Sequence, residues 1–260
     1  MRICSLPAET GRPPTIIRQR DVHMDLTDKT AVVTGASSGI GFAFSKHLAA
    51  RGARVYGFAR GLDRLEQAGK EIGDAFHPIR CDVRDEDQVQ AAFQRVVSEA
   101  GRIDVLINNA GLGIFGPVED LSMEDWDQQI ETNARGVFLC TKAAVPQMRK
   151  QNAASGFGGH IINIASIAGR IGNPNLSAYN ASKYAVRGFT ESTMLELRSD
   201  GIKVTGVYPG SIQTNFRGTG GGTTHPMTVD DVAGTVMHLL ETDENCLISE
   251  VVMRPLRPKG

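Results

Sequence analysis

A strand, a glycine-rich turn and a helix follow one another near the start of the chain, and this succession limits the fold more than any other feature. Residues 30–34 (TAVVT) favour a β-strand, and GASSGIG follows at once at 35–41. The apolar periodicity of residues 42–51 then indicates a helix. Such a turn binds phosphate groups, because glycines let the backbone approach the anion and the helix N-terminus offers unpaired N–H groups. The alternative is a purely structural glycine turn.

The spacing of the glycines in this turn is GxxxGxG. Hydroxyl groups beside the glycines can donate further hydrogen bonds to a phosphate. We expect six of the seven residues in this turn, all except the alanine, to contact the pyrophosphate of a dinucleotide. They are Gly35, Ser37, Ser38, Gly39, Ile40 and Gly41.

Alternation of strand-like and helix-like segments continues to the end of the chain. Strands are predicted at residues 30–34, 53–59, 76–83, 102–107, 160–165, 201–208 and 247–253. Long helices are predicted at 86–100, 126–150, 179–199 and 229–241, and a loop at 151–159. This α/β alternation predicts a single domain with a doubly wound parallel sheet of about seven strands and helices on both faces.

Residues 1–24 differ from the rest of the chain, since they contain prolines and show no hydrophobic periodicity. We expect a disordered N-terminal tail there and one folded domain over residues 25–260. The segment has no hydrophobic signal core, which argues against secretion.

Charge and cysteine content exclude several classes of function. The net charge is −1 with both signs dispersed, so we expect neither a nucleic-acid partner nor an anionic membrane partner. No apolar run has membrane-spanning length. The four cysteines are far apart and form no CxxC pair, which predicts neither disulfides nor a metal site. These features favour a cytoplasmic protein.

The end of the second predicted strand bears on nucleotide choice. In a nucleotide-binding βαβ unit, an acidic residue at this place bonds the adenosine ribose. Arg60 stands there instead, with Arg64 one helical turn further on. A guanidinium group suits a phosphate, so we predict NADP(H) in preference to NAD(H). The alternative is that Arg60 is a solvated residue at a helix start.

Two later strand ends offer further contacts to the nucleotide. Asp82 follows the third strand and could accept a hydrogen bond from the adenine amino group, with Val83 packing beside it. The fourth strand ends in small residues that leave room for a ligand, Asn109, Ala110 and Gly111. Asn108 precedes them, and we expect its amide to hold neighbouring backbone rather than to act in catalysis.

Tyr179 and Lys183 are the clearest candidates for proton transfer. Their spacing of four residues places both side chains on one face of a helix. The pKa of a phenol is about 10, and a nearby ammonium group lowers it by favouring the phenolate. The pair is therefore a candidate proton donor and acceptor. Alone, the YxxxK pattern is short and also fits an exposed tyrosine and lysine with no partnership.

Taken together, these motifs resemble the short-chain dehydrogenase/reductase family. The resemblance rests on TGASSGIG at 34–41, NNAG at 108–111, Ser166, and Tyr179 with Lys183, and it extends from about Leu26 to the C-terminus. It implies a Rossmann-like domain and hydride transfer between NAD(P)(H) and a carbonyl or alcohol.

The resemblance also implies roles for individual residues. Asn133 would hold a water in a proton relay, although a polar residue at a helix bend is an equal alternative. Ser166 would orient the substrate oxygen, Tyr179 would exchange the proton, and Lys183 would bond the nicotinamide ribose. The segment after the sixth strand would meet the nicotinamide carboxamide through Pro209, Gly210, Ile212 and Thr214. The long helices at 122–150 and 177–199 commonly pair in this family, which implies a homodimer or homotetramer.

Two segments depart from the family pattern. The substrate lid at 215–226 is short and rich in glycine, with Phe216 and His225 as its contact candidates. The ending at 254–260 is basic and proline-rich, and it is similar to a subgroup acting on small hydroxy acids. Apolar Ile114, Phe115 and Ile167 could line a pocket or simply belong to the core.

The leading hypothesis is an oxidoreductase that transfers hydride between NADP(H) and a small carbonyl or secondary alcohol. A hydroxy-acid or sugar dehydrogenase using the same site is the alternative enzyme. A non-catalytic nucleotide-sensing protein is the alternative from another class, and the presence of all four candidate catalytic residues argues against it.

Overall fold

A computed structural model describes residues 25–213 and 226–257 of the chain. The predictions for residues 1–24, for Thr214 and for most of the lid lie outside the described residues. The described residues form one sheet of seven parallel strands: β1 (Thr30–Thr34), β2 (Arg54–Ala59), β3 (Phe76–Arg80), β4 (Val105–Asn108), β5 (Gly159–Ile164), β6 (Ile202–Pro209) and β7 (Glu250–Met253). Their order is β3-β2-β1-β4-β5-β6-β7. The predicted doubly wound sheet is confirmed.

Helices connect the strands and cover both faces of the sheet. They are α1 (Gly39–Ala49), α2 (Leu62–Ile72), α3 (Glu86–Ala100), α4 (Met123–Ile130), α5 (Gly136–Ser155), α6 (Ser177–Leu197) and α7 (Val229–Leu240). Helices α1, α2 and α7 pack on one face, and α3, α5 and α6 on the other. Successive residues of β1 point to opposite faces: Val33 belongs to the first core and Val32 to the second. Burial on both faces explains why the strands are continuously apolar.

The prediction of one long helix at 126–150 is wrong in two respects. It is divided into α4 and α5 by a π-helical segment, Glu131–Arg135, so that Asn133 lies at an irregularity. Helix α5 also continues through Ser155, where a loop was predicted. The side chain of Gln151 explains the extension, since its amide bonds the backbone of Ile103 and Gly158. These tertiary contacts outweigh the polar character of the segment.

Three strands are shorter than their patterns predict, and one of them, β4, begins at Val105 and not at residue 102. Strand β3 ends at Arg80, so Asp82 lies two residues beyond it. Strand β7 begins only at Glu250, which pairs with Gly206 of β6. Helix starts agree better with prediction. Asp85 caps α3 by accepting from Gln88, and Thr228 forms a capping box with Asp231 at the start of α7.

Strand order reverses between β1 and β4, which are neighbours in the sheet although two strands separate them in the chain. Their connections leave in opposite directions, and this opens a crevice at the carboxyl ends of the strands, the usual ligand site of such sheets. The glycine-rich turn, Asn109 and Gly111 all lie at this edge. Within the described ranges, no helix combines the length and apolar character needed to cross a bilayer.

Candidate active site

The glycine-rich turn after β1 has a backbone that larger residues would disturb. Gly35 and Gly39 adopt left-handed conformations, with φ of 68° and 58°. A Cβ atom on Gly41 would lie 2.2 Å from the carbonyl oxygen of Gly35. Helix α1 has no acidic residue in its first turn, and the hydroxyl of Ser38 at its N-cap position makes no capping bond. The positive end of α1 therefore remains available to an anion.

Thr34 ties the end of β1 to the end of β4. Its Oγ1 accepts hydrogen bonds from the N–H groups of Asn109 and Ala110, both at 2.9 Å. The amide of Asn109 returns a bond to the Thr34 carbonyl oxygen at 2.9 Å. Sequence reasoning missed this role of Thr34, because the pairing depends on two strands that are distant in the chain. The clamp places Asn109 and Ala110 against Gly35 in the crevice.

Asn108 connects neighbouring elements, but its amide binds two side chains and not the neighbouring backbone that the sequence predicts. The residue is buried, and its Nδ2 donates to Asn163 Oδ1 at 2.9 Å and to Thr141 Oγ1 at 3.1 Å. Asn108 and Asn163 are register partners on β4 and β5. The amide thus links two strand ends and helix α5. These two bonds fix its orientation.

Asp82 does not stand alone beside the predicted adenine site. Arg84 contacts its carboxylate through two nitrogens, with Nε 3.0 Å from Oδ1 and Nη2 2.6 Å from Oδ2. The guanidinium of Arg84 lowers the pKa of the Asp82 carboxyl, and the charge of Arg60 contributes to the same lowering. Arg60 is exposed at the end of β2. Sequence reasoning missed Arg84, although its position two residues after the acid was a signal. Val83 is buried, and its side chain packs against Gly136 of α5.

Tyr179 and Lys183 lie in the first turns of α6 and are both buried. Lys183 Nζ is 5.8 Å from the centroid of the Tyr179 ring and donates a hydrogen bond to the carbonyl oxygen of Ile164 at 3.0 Å. Burial lowers the pKa of Lys183 to about 8. The predicted pair therefore shares one helix face, and its ammonium group lies at the end of β5.

Ser166 lies two residues after the end of β5. It begins a short 3₁₀ turn, and its Oγ accepts a hydrogen bond from the N–H of Ala168 at 3.1 Å. Asn180 of α6 holds the same turn, since its Nδ2 donates to the Ala168 carbonyl oxygen at 2.6 Å. The segment after Ser166 is thereby fastened to the helix that contains Tyr179. Sequence reasoning did not identify Asn180.

Asn133 projects from the π-helical segment into the same region. Its Oδ1 accepts from Leu112 N, and its Nδ2 donates to Leu112 O, both at 2.8 Å. The second Nδ2 hydrogen is directed at Ser182 Oγ of α6 at 2.9 Å. Both N–H groups of the side chain are thus used within the protein. Gly111 lies between these groups, since a Cβ there would be 3.1 Å from Asn133 Oδ1 and 3.6 Å from Lys183 Nζ.

Phe115 lies beside the tyrosine. The two rings meet edge to face, with centroids 5.5 Å apart and an interplanar angle of 85°. Of the apolar pocket candidates, Phe115 is therefore the one in contact with Tyr179. The backbone N–H of the preceding Ile114 donates to Oε1 of the buried Gln129 at 3.1 Å. Sequence reasoning missed Gln129.

The segment after β6 is held by β7 and by the residues that precede α7. Gly210 N donates to Met253 O at 2.8 Å, and Pro209 is the register partner of Met253. Ile212 forms an isolated parallel bridge with Met227. These contacts place Pro209, Gly210 and Ile212 at the carboxyl ends of the strands.

This geometry defines a nucleotide-dependent oxidoreductase of the α/β class. The family model for short chain dehydrogenases matches residues 29–221, and the chain belongs to that family. It is an NAD(P)-dependent short-chain dehydrogenase/reductase. An uncharacterised oxidoreductase of Staphylococcus epidermidis is 32% identical over 230 residues, which cover 88% of this chain and 98% of the relative.

Solved structures agree with this assignment. A metagenomic short-chain oxidoreductase in complex with NADP superposes with a TM-score of 0.78 at 34% identity, covering 90% of this chain and 99% of the other. A 3-ketoacyl-(acyl-carrier-protein) reductase from Brucella melitensis, complexed with NADH, has a TM-score of 0.83 at 30% identity, covering 88% and 98%.

Proposed function

We propose that this protein transfers hydride between NADP(H) and a small carbonyl compound or secondary alcohol, with Tyr179 as the acid and base. The observation that supports this most is the buried Lys183 beside the Tyr179 ring, fastened to the end of β5 just before Ser166. Burying an ammonium group is costly. The position of this buried charge beside Tyr179, at the edge of the sheet where such folds bind ligands, supports a catalytic use.

The residues in the crevice fit a dinucleotide. The glycine turn is closely packed at Gly41, where a Cβ would collide with the Gly35 carbonyl oxygen, and open at Gly39, and the N-terminus of α1 attracts a pyrophosphate. Ser37, Ser38, Asn109, Ala110 and the segment from Pro209 to Ile212 would hold the rest of the cofactor. When bound, the nicotinamide supplies or accepts the hydride.

Side chains of the protein would carry out the proton transfer. In reduction, the Tyr179 hydroxyl donates its proton to the carbonyl oxygen as negative charge develops there, and Ser166 Oγ holds the same oxygen in place. Positively charged Lys183 then stabilises the Tyr179 phenolate. In oxidation the phenolate accepts the proton. Since both N–H groups of the Asn133 side chain are used, a relay water at this residue would have to bind elsewhere on it.

The preference for NADP(H) rests on Arg60 and on the pairing of Asp82. Arg60 is exposed at the end of β2, where a 2′-phosphate would lie. The carboxylate that would otherwise repel that phosphate is already neutralised by Arg84. We therefore assign Arg60 as the phosphate contact and Asp82 with Val83 as the adenine contact.

Self-association and location belong to the same proposal. Large apolar side chains are exposed on α4, α5 and α6, namely Met123, Trp126, Phe138, Tyr184 and Leu195. Water contact with such surface is unfavourable, which supports a homodimer or homotetramer through these helices. A dispersed net charge of −1 supports a cytoplasmic enzyme without a membrane or nucleic-acid partner.

The test is NADPH oxidation with a panel of small ketones, diketones, keto acids, quinones and sugars. Wild-type protein should turn over at least one of these classes, and Tyr179→Phe should lower the rate about 100-fold or more by removing the acid. Tyr184→Phe is the matched control, because Tyr184 is an exposed tyrosine on the same helix. NADPH affinity, measured by fluorescence titration, should be similar in all three proteins. Equal activity in Tyr179→Phe would remove Tyr179 from the mechanism, and binding without any turnover would favour a nucleotide sensor.

A further inference from the structure

The loop between β4 and α4 is held to the rest of the protein by hydrogen bonds that have no part in the proposed mechanism. Residues 111–116 are partly exposed and include Phe115, the ring in contact with Tyr179. Four hydrogen bonds hold the loop at three alternate residues, Leu112, Ile114 and Gly116. Asn133 binds both backbone groups of Leu112, Gln129 binds the N–H of Ile114, and the Asn175 carbonyl oxygen accepts from the N–H of Gly116 at 2.9 Å.

Gln129 and Asn133 form a ladder along one helical stretch. They are four residues apart, as are side chains that share a helix face. The residues they bind, Leu112 and Ile114, are two apart, as are N–H groups that point to the same side of an extended chain. The two amides therefore match two successive backbone positions of the loop. Phe115 lies between the last two of the three fastened residues.

The amide of Gln129 is itself fixed in orientation. Its Nε2 donates to the carbonyl oxygen of Asp125, one turn earlier in α4, at 3.2 Å. Oε1 is thereby left to face the loop and to accept from Ile114. The residue has no exposed surface, so loss of either bond would leave a buried polar group without a partner. Because its oxygen and its nitrogen are both hydrogen-bonded, the buried amide fixes the position of the loop relative to the helix.

We propose that Gln129 is a positioning residue, which sets the wall of the substrate pocket beside Tyr179 by fixing Ile114 and, through it, Phe115. This inference rests on the proposed function, because it assigns the edge of the Phe115 ring to the substrate side of the tyrosine. The hydrogen bonds of Gln129 go to the backbone of Ile114 and Asp125. Its effect on the chemistry would pass through the backbone of the loop.

The first test is independent of activity. Amide hydrogen exchange is measured over residues 111–116 in wild type, in Gln129→Leu and in Gln129→Glu. The leucine removes the acceptor for Ile114 N–H while filling the site, and the loss of one hydrogen bond predicts about fivefold faster exchange in the loop. Glutamate retains an acceptor oxygen for Ile114 N–H but loses the donor to the Asp125 carbonyl oxygen, so it should restore only part of the protection. Gln128→Leu is the matched control, since the Gln128 amide binds Glu124 at the surface.

The second test uses steady-state kinetics with a carbonyl substrate from the panel. Gln129→Leu should raise KM about fivefold and change kcat and NADPH affinity less, because the pocket wall is displaced while the proton donor stays in place. Phe115→Ala should also raise KM. If Gln129 acts through Phe115, adding Gln129→Leu to Phe115→Ala should produce little further change.

Each outcome decides a different claim. Unchanged loop exchange in Gln129→Leu would overturn the positioning role, whatever the activity. Faster exchange with an unchanged KM, or with fully additive effects in the double variant, would overturn the link to Phe115 and the substrate. Absence of turnover in wild type would instead contradict the proposed function, and the exchange experiment would still decide whether Gln129 positions the loop.

Discussion

The two ends of the parallel sheet each bury a lysine, and the surroundings of the two ammonium groups differ. Lys203, near the start of β6, donates to three oxygens, namely the carbonyl oxygens of Thr242 and Asp243 and the hydroxyl of Thr242, and its Nζ lies 5.8 Å from the centroid of the Phe157 ring. Lys183, at the carboxyl ends of the strands, binds the carbonyl oxygen of Ile164 and lies beside the Tyr179 ring and the bare Cα of Gly111. Both side chains are 4% exposed.

The same contrast extends to the groups around each lysine. At the amino ends, Asp104 accepts from Thr30 N and pairs with Arg102, and His160 shares a hydrogen bond with Thr205. These bonds join element to element. At the carboxyl ends, the turn after β1 leaves the hydroxyl of Ser38 and the N-terminus of α1 uncapped. Burial alone therefore does not distinguish the two lysines, whereas the groups around each ammonium group do.

Exchanging the two lysines for methionine tests this contrast most strongly. Lys183→Met should lower kcat about 100-fold or more, because the phenolate loses its stabilising charge. Lys203→Met should leave kcat within about twofold but lower the free energy of unfolding by about 1–3 kcal/mol, because buried oxygens lose their donor. Turnover and urea denaturation of both variants check this. Equal loss of activity in both would show that the two ends do not differ in this way.

Two arginines provide a second, smaller test. Arg60→Asp should change the ratio of NADPH to NADH affinity about tenfold or more in favour of NADH, with little effect on stability, because it would replace the proposed phosphate contact by a repelling charge. Arg102→Leu should lower the free energy of unfolding by about 1 kcal/mol or more, since Asp104 loses a partner, and should leave the ratio unchanged. Fluorescence titration with both nucleotides measures the ratio. An unaltered ratio in Arg60→Asp would remove Arg60 from the cofactor site.

The smallest expected effect is a pH dependence that arises at the amino ends. Burial and the charge of Lys203 lower the pKa of His160 to about 3. The unfolded chain, with a histidine pKa of about 6.5, then binds a proton that the folded protein excludes. Stability should therefore decrease as the pH falls from about 6.5 towards 3, by about 1 kcal/mol per pH unit from this residue.

His160→Asn keeps a polar partner for Thr205 and removes the titration. Urea unfolding at pH 7 and pH 5 should show a smaller acid-induced loss in this variant than in wild type. Identical losses would assign the acid sensitivity to other groups. Lys183 titrates in a different window, since burial lowers its pKa to about 8, so its protonation should affect proton transfer on the alkaline side.

Local sequence determined much of the fold. The strand, turn and helix at residues 30–49 and the cap at Asp85 lie where their patterns predict, because hydrophobic periodicity and capping depend on neighbours within a few residues. The spacing of Tyr179 and Lys183 likewise fixes their common face. The sequence also sufficed for the family and hence for the order of the strands.

Contacts between distant elements were decided only by the tertiary structure. No local pattern shows that Thr34 binds Asn109, that Arg84 forms a salt bridge with Asp82, or that Gln129 binds the backbone of Ile114. A glutamine in a helix can be exposed or buried. Whether Gln129 is buried depends on the position of a loop that lies fifteen residues earlier in the chain. Periodicity encodes which face of an element is buried, whereas the partner of a buried polar group depends on the arrangement of the whole sheet and its helices.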